Sequence, residues 1–268
     1  MKLILSRKGF DSASGGFPSP ILPDGTLLSL PIPSEEDCQN TYAGLYYNGM
    51  SYQEIIDSLN VRKAAHLPRY CHLDPDIRKN IRQRESLWRP SFGQMGAPLT
   101  HLRNQGVKEG DFFLFFGLFK EAEIDKKGKI QFIQGAPERH IIYGYLQIEK
   151  VITTPTEVPY WLNQHPHVAY SASWMKHSNA IFVASDRLSF NNALPGASCL
   201  NFRNDRVLTK EGMSCSRWNL PDFFREVIIS SHPNPWKENY FQSVGRGQEF
   251  VMNMTPKILD WVRDRINP

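Results

Sequence analysis

The amino-terminal segment combines an apolar run with a polar, glycine-rich loop. Leu3 to Leu5 are apolar, and residues 6–16 read Ser-Arg-Lys-Gly-Phe-Asp-Ser-Ala-Ser-Gly-Gly. Glycines allow the backbone to approach a ligand closely, and cationic and hydroxyl side chains suit phosphate. The loop matches neither Walker nor Rossmann spacing. It therefore predicts either a polar turn or a cradle for a phosphate or nucleobase, formed by Arg7, Lys8, Asp11, Ser12 and Ser14.

A second candidate lies near the carboxyl terminus, where Arg246-Gly247-Gln248-Glu249 precedes a predicted strand. Glu249 could act as a general base or stabilise an oxocarbenium-like centre, with Arg246 and Gln248 beside the substrate. The segment resembles the terminal Glu strand of ADP-ribosyltransferases, with a different spacing. The alternative is a surface Arg246–Glu249 ion pair worth less than about 1 kcal/mol. On the catalytic hypothesis, Glu249→Gln abolishes activity and leaves the melting temperature nearly unchanged.

His72 and Asp74 form a third candidate. Together they could hold a metal or orient an imidazole as general base. Asp74 could equally cap a helix over residues 73–84, and we favour that interpretation. Further metal ligands could come only from His165 and His167, so we assign no residue as a metal ligand.

Residues 78–103 are rich in basic and aromatic side chains. Gln94, between Gly93 and Gly96, could read a base edge or bond its own loop. Trp88 and Phe92 suit stacking on unpaired bases. The basic residues predict either a solvated helix face or a phosphate-tracking patch; they are Arg78, Lys79, Arg82, Arg84, Arg89 and Arg103.

Composition narrows the class of protein. The 268 residues carry a net charge of +4 and are 41% hydrophobic, which permits a substantial core and excludes a disordered chain. Four scattered cysteines without a CxxC pair argue against a closed zinc site. No apolar run approaches the roughly 20 residues that span a bilayer. We predict a cytoplasmic protein with free thiols and no membrane partner.

Hydrophobic periodicity and helix-capping residues predict the secondary-structure elements. Helices are expected after Ser51, over 73–84, over 98–104 and after Thr255. Strands are expected at 111–120, 129–133, 140–152, 179–185 and 248–253, with a hairpin at 196–208. Residues 111–120 and 140–152 should pair antiparallel. We predict one α+β domain over 1–268, built around a mostly antiparallel, barrel-like sheet with peripheral helices. Within it we expect an amino-terminal loop and helical part at 1–105, barrel-like strands at 106–155, and further strands and a helix at 156–268.

Several segments, spread over nearly the whole chain, resemble those of a known protein family. They include the opening residues, His72 to Asp76, Gly106 to Asp111, Ile142 to Gln147, His165 to His167 and Arg246 to Val251. In these the chain resembles the nucleotide modification associated domain 3 family. The resemblance implies a link to nucleotide or nucleic-acid modification, and it specifies no reaction. Residues 106–152 also resemble the opening of PUA- and EVE-type barrels.

Two functional hypotheses follow. The first is a transferase-like enzyme acting on nucleotides or nucleic-acid bases, through glycosidic or base-transfer chemistry. Its catalytic candidates are Glu249, Asp11, His72 and Asp74, and its substrate-binding candidates are Arg7, Lys8, Ser12, Gln94, Arg246 and Gln248. The second is a non-catalytic reader of modified nucleic acid on a PUA/EVE-like barrel. Placing Glu249 in one cleft with Asp11 and Asp74 favours the enzyme; the cofactor and oligomeric state are unknown.

Overall fold

The computed structural model describes residues 1–35, 39–169, 174, 178–230, 234–244 and 249–267. It is a mixed α and β structure built on one large sheet. In chain order the strands are β1 (Lys2–Arg7), β2 (Ser19–Ile21), β3 (Ile32–Ser34), β4 (Tyr46–Tyr47), β5 (Met50–Ser51), β6 (Tyr70–His72), β7 (Ser91–Met95), β8 (Phe112–Ile124), β9 (Ile130–Phe132), β10 (Arg139–Ile152), β11 (Asn179–Ala184), β12 (Arg187–Leu188), β13 (Asn191–Pro195), β14 (Ala197–Cys199), β15 (Arg217–Trp218), β16 (Phe241–Gln242) and β17 (Glu249–Asn253).

The large sheet has nine strands and mixed polarity. Its main path is β17-β1-β8-β10-β11-β7, and β2, β9 and β14 pair at its sides. β1 and β2 run parallel to β8, and the other pairs are antiparallel. The predicted antiparallel pairing of 111–120 with 140–152 is confirmed, because β8 and β10 pair from Phe112–Gln147 to Phe119–Arg139. The path does not close into a barrel within the described residues.

Alternating side chains on the central strands supply two layers of core. Leu3 and Leu5 point to one face of the sheet, where they share a cluster with Trp261 of the carboxyl-terminal helix. Ile4 points to the other face and shares a cluster with Leu99 and Phe92. The period of two in a strand explains this division. Because β1 has a neighbour on each side, its polar end is held firmly beside Glu249, which pairs with Ser6.

Four α-helices lie among the described residues: α1 (Tyr52–Ser58), α2 (Gly96–Asn104), α3 (Pro166–Ala169) and α4 (Pro256–Ile266). The predicted capping box of α1 is present, since Ser51 and Glu54 bond each other's backbone N–H. Thr255 caps α4 as predicted, and Gly106 follows α2 with a positive φ. None of the described helices has the length and apolar character needed to span a membrane.

Two predicted elements are wrong. Residues 73–84 form no α-helix, because Asp76 pairs with Ser91 through backbone hydrogen bonds that keep the chain extended, and only a 3-10 turn forms at Lys79–Ile81. Residues 196–208 form no hairpin: β14 pairs with β10, and Val207 bridges to Ile141 of that same strand. In both cases a tertiary partner outweighs the local pattern.

The segment from Gly93 to Gly96 is not a loop tip. Gly93 to Met95 belong to β7, which pairs with β11, and Gln94 is buried. Asp74 is not a helix cap, because residues 73–84 form no α-helix, and its carboxylate instead accepts the backbone N–H of Gly93 in β7.

Candidate active site

A cavity of about 280 Å³ lies beside the end of β1. Its walls come from five separated parts of the sequence: the amino-terminal loop, β3, the segment around β6, β7 and α3. The polar residues that line it are Arg7, Lys8, Asp11, Ser14, Ser34, His72, Asp74, Gln94 and His167. Seven of the sequence-predicted site residues thus share one cavity, namely Arg7, Lys8, Asp11, Ser14, His72, Asp74 and Gln94.

The loop that follows β1 is closed by Asp11. Asp11 Oδ1 accepts hydrogen bonds from the backbone N–H groups of Ala13 (2.7 Å) and Ser14 (2.8 Å). Its Oδ2 lies 3.4 Å from Arg7 Nε. The carboxylate therefore folds the loop into a polar turn and orients the guanidinium. Ser12 is exposed at the tip of this loop and does not line the cavity.

Glu249 lies beneath the cavity and is buried. Three donors converge on its Oε1: Gln94 Nε2 at 2.7 Å, Lys8 Nζ at 3.1 Å and Ser6 Oγ at 3.2 Å. The predicted alternative of a surface ion pair is wrong for Glu249, because only 2% of its side chain is exposed. Arg246 and Gln248 lie outside the described residues. The geometry makes Glu249 the anchor of two side chains that do line the cavity.

Asp74 is the centre of a second polar group that lines the same cavity. Its Oδ1 accepts the backbone N–H of Gly93 at 2.8 Å and lies 3.5 Å from His165 Nε2. Its Oδ2 lies 3.7 Å from His167 Nε2. The His72 ring stands edge-on to the His167 ring, with centroids 5.1 Å apart.

Two contacts fix the orientation of the His167 ring. Asn179 Nδ2 donates to the His167 carbonyl at 2.9 Å, so Asn179 Oδ1 faces His167 Nδ1 at 2.7 Å. On the other side the ring packs on the backbone of β7, where a Cβ on Gly93 would come within 2.2 Å of His167 Cδ2. Glycine at position 93 is therefore required for this placement of the ring.

Burial determines the charge of these groups. Desolvation, with a smaller contribution from the neighbouring histidines, lowers the pKa of His72 to about 3, and desolvation lowers the pKa of His167 to about 4. Burial acts to raise the pKa of Asp74, but the hydrogen bond from His165 and the nearby imidazoles outweigh it and lower that pKa to about 2. The imidazoles of His72 and His167 are thus neutral beside the Asp74 carboxylate at neutral pH.

The predicted basic patch has mainly structural contacts. Arg84 and Arg82 bind the buried carboxylate of Asp76, at 2.6 Å and 3.4 Å. Arg89 pairs with Glu149 and Asp186. Phe92 is fully buried in the core and cannot stack on a base, whereas Trp88 is partly exposed beneath the Arg84 guanidinium.

Sequence reasoning missed three residues of the site. Ser6 and Asn179 stand at strand ends with no distinguishing pattern, and Gly93 was interpreted as a loop glycine. His165 and His167 were noticed only as a source of ligands. Their spacing of two residues is the one signal that pointed to them.

Comparison with known families gives a match over most of the chain. The family described as nucleotide modification associated domain 3 matches residues 2–253, which is nearly the whole chain. Comparisons with curated proteins and with solved structures gave no match.

Proposed function

The chain belongs to the nucleotide modification associated domain 3 family, and from this membership and the cavity we propose that it is an enzyme that modifies a nucleotide or a nucleic-acid base. The observation that carries the proposal is the buried Glu249 bound to Lys8 and Gln94 beneath the same cavity that Asp11 and Asp74 line. Placement of Glu249 beside the cleft that Asp11 and Asp74 line is the arrangement expected of an enzyme rather than of a reader. The cavity volume of about 280 Å³ suits a nucleobase or ribose.

Arg7 and Lys8 are assigned to the phosphate of the substrate. Both stand at the end of β1 and line the cavity, and each is oriented by a carboxylate, Asp11 or Glu249. Such preorganisation lowers the entropic cost of binding an anion. Asp11 and Glu249 are then positioning residues, and Glu249 is not assigned as the general base, since three donors occupy its Oε1.

The chemistry is assigned to the wall formed by His72 and Asp74. Their side chains line the same cavity as the two cations. A substrate held by its phosphate at Arg7 and Lys8 has its base or glycosidic bond in the cavity that these two side chains also line. Base modification or glycosidic-bond chemistry are the reaction classes that this arrangement serves.

Mass spectrometry of nucleosides tests the proposal. Nucleosides from cells with the protein should contain a modified species that is absent from cells without it and from cells with Arg7→Ala. The matched control is Arg62→Ala, which removes the same charge from an exposed position outside the cavity. Identical nucleoside profiles with and without the wild-type protein, in nucleic acid and in the free nucleotide pool, would contradict the proposal.

Binding provides a second, direct measurement. Calorimetry with a panel of nucleotides should give saturable binding, weakened about 10–100-fold by Arg7→Ala and unchanged by Arg62→Ala. The magnitude follows from a lost charge-assisted hydrogen bond of about 1.5–3 kcal/mol.

One observation favours a second candidate, a reader of single-stranded nucleic acid. A groove of about 510 Å³ is lined by Tyr46, Tyr47, Arg78, Lys79 and Trp88. Tyr46 is 48% exposed. Aromatic rings interleaved with basic side chains suit stacked bases and their phosphates. On this hypothesis Tyr46→Ala weakens oligonucleotide binding severalfold, by fluorescence anisotropy, while Tyr160→Ala at another exposed tyrosine does not.

A further inference from the structure

We propose that His72, Asp74 and His167 bind a first-row divalent transition metal ion at the wall of the cavity. The three side chains can each offer one ligand atom, and these atoms lie within 4.8 Å of one another. Ligands bound at about 2.0–2.2 Å from one ion lie about 3–3.5 Å apart, so small side-chain movements close the site. The inference concerns metal binding and does not depend on the proposed function.

Hydrogen bonds define the tautomer of His167. Asn179 Nδ2 donates to a carbonyl, so Asn179 Oδ1 can only accept from His167 Nδ1. Nδ1 therefore carries the ring proton, and Nε2 has a lone pair. That lone pair faces Asp74 Oδ2 at 3.7 Å in a buried setting. Two electron-rich atoms facing each other away from water are unfavourable unless a cation lies between them.

His165 has the opposite tautomer. Its Nδ1 accepts the backbone N–H of His167 at 3.3 Å, so its Nε2 carries the proton. That N–H lies 3.5 Å from Asp74 Oδ1, which also accepts the Gly93 N–H. Oδ1 is thus occupied by the Gly93 N–H, and Oδ2 remains for an ion.

These contacts form the outer support that metal ligands require. A ligating imidazole is usually held through its second nitrogen, and a ligating carboxylate is usually hydrogen-bonded. Here Asn179 holds His167, and the backbone N–H of Gly93 holds Asp74. The His72 ring makes no hydrogen bond to any residue that the structure describes, which leaves a nitrogen for the third position.

The ligand set identifies the class of ion. Two imidazole nitrogens and one carboxylate oxygen suit Zn²⁺, Fe²⁺, Mn²⁺ and related ions, whereas Mg²⁺ and Ca²⁺ prefer oxygen donors. Three protein ligands leave coordination positions for water or substrate. Because all three residues line the cavity with Arg7 and Lys8, those positions face the substrate site.

The test begins with the full chain, treated with a chelator and dialysed. Isothermal titration with Zn²⁺, Mn²⁺ and, without oxygen, Fe²⁺ should show one ion bound per chain, and Mg²⁺ should bind far more weakly. His72→Ala and His167→Ala should each weaken binding more than the roughly 10–100-fold that loss of an outer contact causes. His66→Ala, at an exposed histidine outside the cavity, is the matched control.

Asn179 offers a variant that leaves every ligand in place. Asn179→Ala should weaken binding about 10–100-fold, and Asn179→Asp, which keeps an acceptor for His167 Nδ1, should restore most of it. The visible spectrum of bound Co²⁺ should change in His72→Ala and persist in His66→Ala. Melting curves identify any variant that fails to fold.

Two results would overturn the inference. One is a folded wild-type chain that binds none of the transition ions at millimolar concentration. The other is a folded His72→Ala or His167→Ala variant that binds the ion as tightly as the wild type.

Discussion

At the scale of single residues, each carboxylate near the cavity contacts other side chains, and these contacts indicate its structural role. Asp11 orients Arg7, Glu249 anchors Lys8 and Gln94, and Asp74 lies among histidines. A buried charge is tolerated only when it is paired and hydrogen-bonded, so these contacts also hold the site together. Removing one partner therefore affects both stability and function.

Glu249→Gln should lower the free energy of unfolding by about 1.5–3 kcal/mol, because Lys8 loses a charged acceptor within the protein. This changes the expectation from sequence, which was a nearly constant melting temperature. Glu226→Gln is the matched control: Glu226 pairs with Lys257 at the surface, with 60% of its side chain exposed, and should cost less than about 1 kcal/mol.

Denaturant unfolding measures both variants. Equal losses would show that Glu249 contributes no more than a surface carboxylate. The double variant Lys8→Met with Glu249→Gln should recover part of the loss, since no unpaired charge remains.

His140 should make stability depend on pH. It is buried, Trp218 Nε1 donates to its Nδ1 at 3.0 Å, and desolvation lowers its pKa from 6.5 to about 3. The unfolded chain then binds a proton that the folded chain does not, so stability falls as pH drops below about 6.5 and continues to fall toward about 3. Between pH 7 and pH 5 the contribution is about 2 kcal/mol.

The measurement compares unfolding at pH 7 and pH 5 for wild type and His140→Gln. The variant should show a smaller loss on acidification, because glutamine does not titrate. His66→Gln, at an exposed histidine, should match the wild type. A His140→Gln loss equal to that of the wild type would contradict the assigned pKa.

At the scale of elements, strand ends assemble the site. β1 delivers Ser6 to Lys8 beside the start of β17, and β7 contributes Gly93 and Gln94 on the same side. Parallel pairing of β1 with β8 places the end of β1 against residues 112–116, which are all buried. The functional groups thus rest on the buried part of the sheet.

Gly93→Ala tests the role of β7. The added Cβ would meet His167 at 2.2 Å, so the ring must move or the strand must shift, at a cost of about 1–3 kcal/mol. We expect a lower melting temperature and weaker Zn²⁺ binding by titration. Gly128→Ala is the control: it has φ +77° and nothing within 4 Å of its new Cβ, so it should cost about 1 kcal/mol and leave Zn²⁺ binding unchanged.

At the scale of the whole molecule, the first and last strands in the described part of the chain are neighbours in the large sheet. β1 pairs with β17, which begins 247 positions after β1, and both join strands from the middle of the chain. Contacts of this kind couple distant segments, because none of them can form its layer of core alone.

We propose that the chain unfolds as one cooperative domain. Differential scanning calorimetry should show one transition, with equal calorimetric and van't Hoff enthalpies. Far-ultraviolet circular dichroism and tryptophan fluorescence should follow the same curve. Two separated transitions would show that the chain contains independent units.

The sequence by itself determined the elements whose signals are local. Buried strands at 112–124 and 139–152, the capping box of α1 and the Thr255 cap of α4 follow from periodicity and side-chain chemistry within a few residues. The amino-terminal loop and Glu249 were also identified as candidates, because their residue types suit binding and acid–base work.

Only the tertiary structure decided how Asp74 and Gln94 are used. Locally, Asp74-Pro75 is typical of a helix start, and Gly93 to Gly96 is typical of a turn. The pairing of Asp76 with Ser91 and of β7 with β11 outweighs these local preferences. Glu249 contacts Lys8 although the two residues are 241 positions apart in the chain. Asp74 likewise lies beside His167, which is 93 positions away. Such contacts depend on strand order and register, which propensities and spacing do not contain.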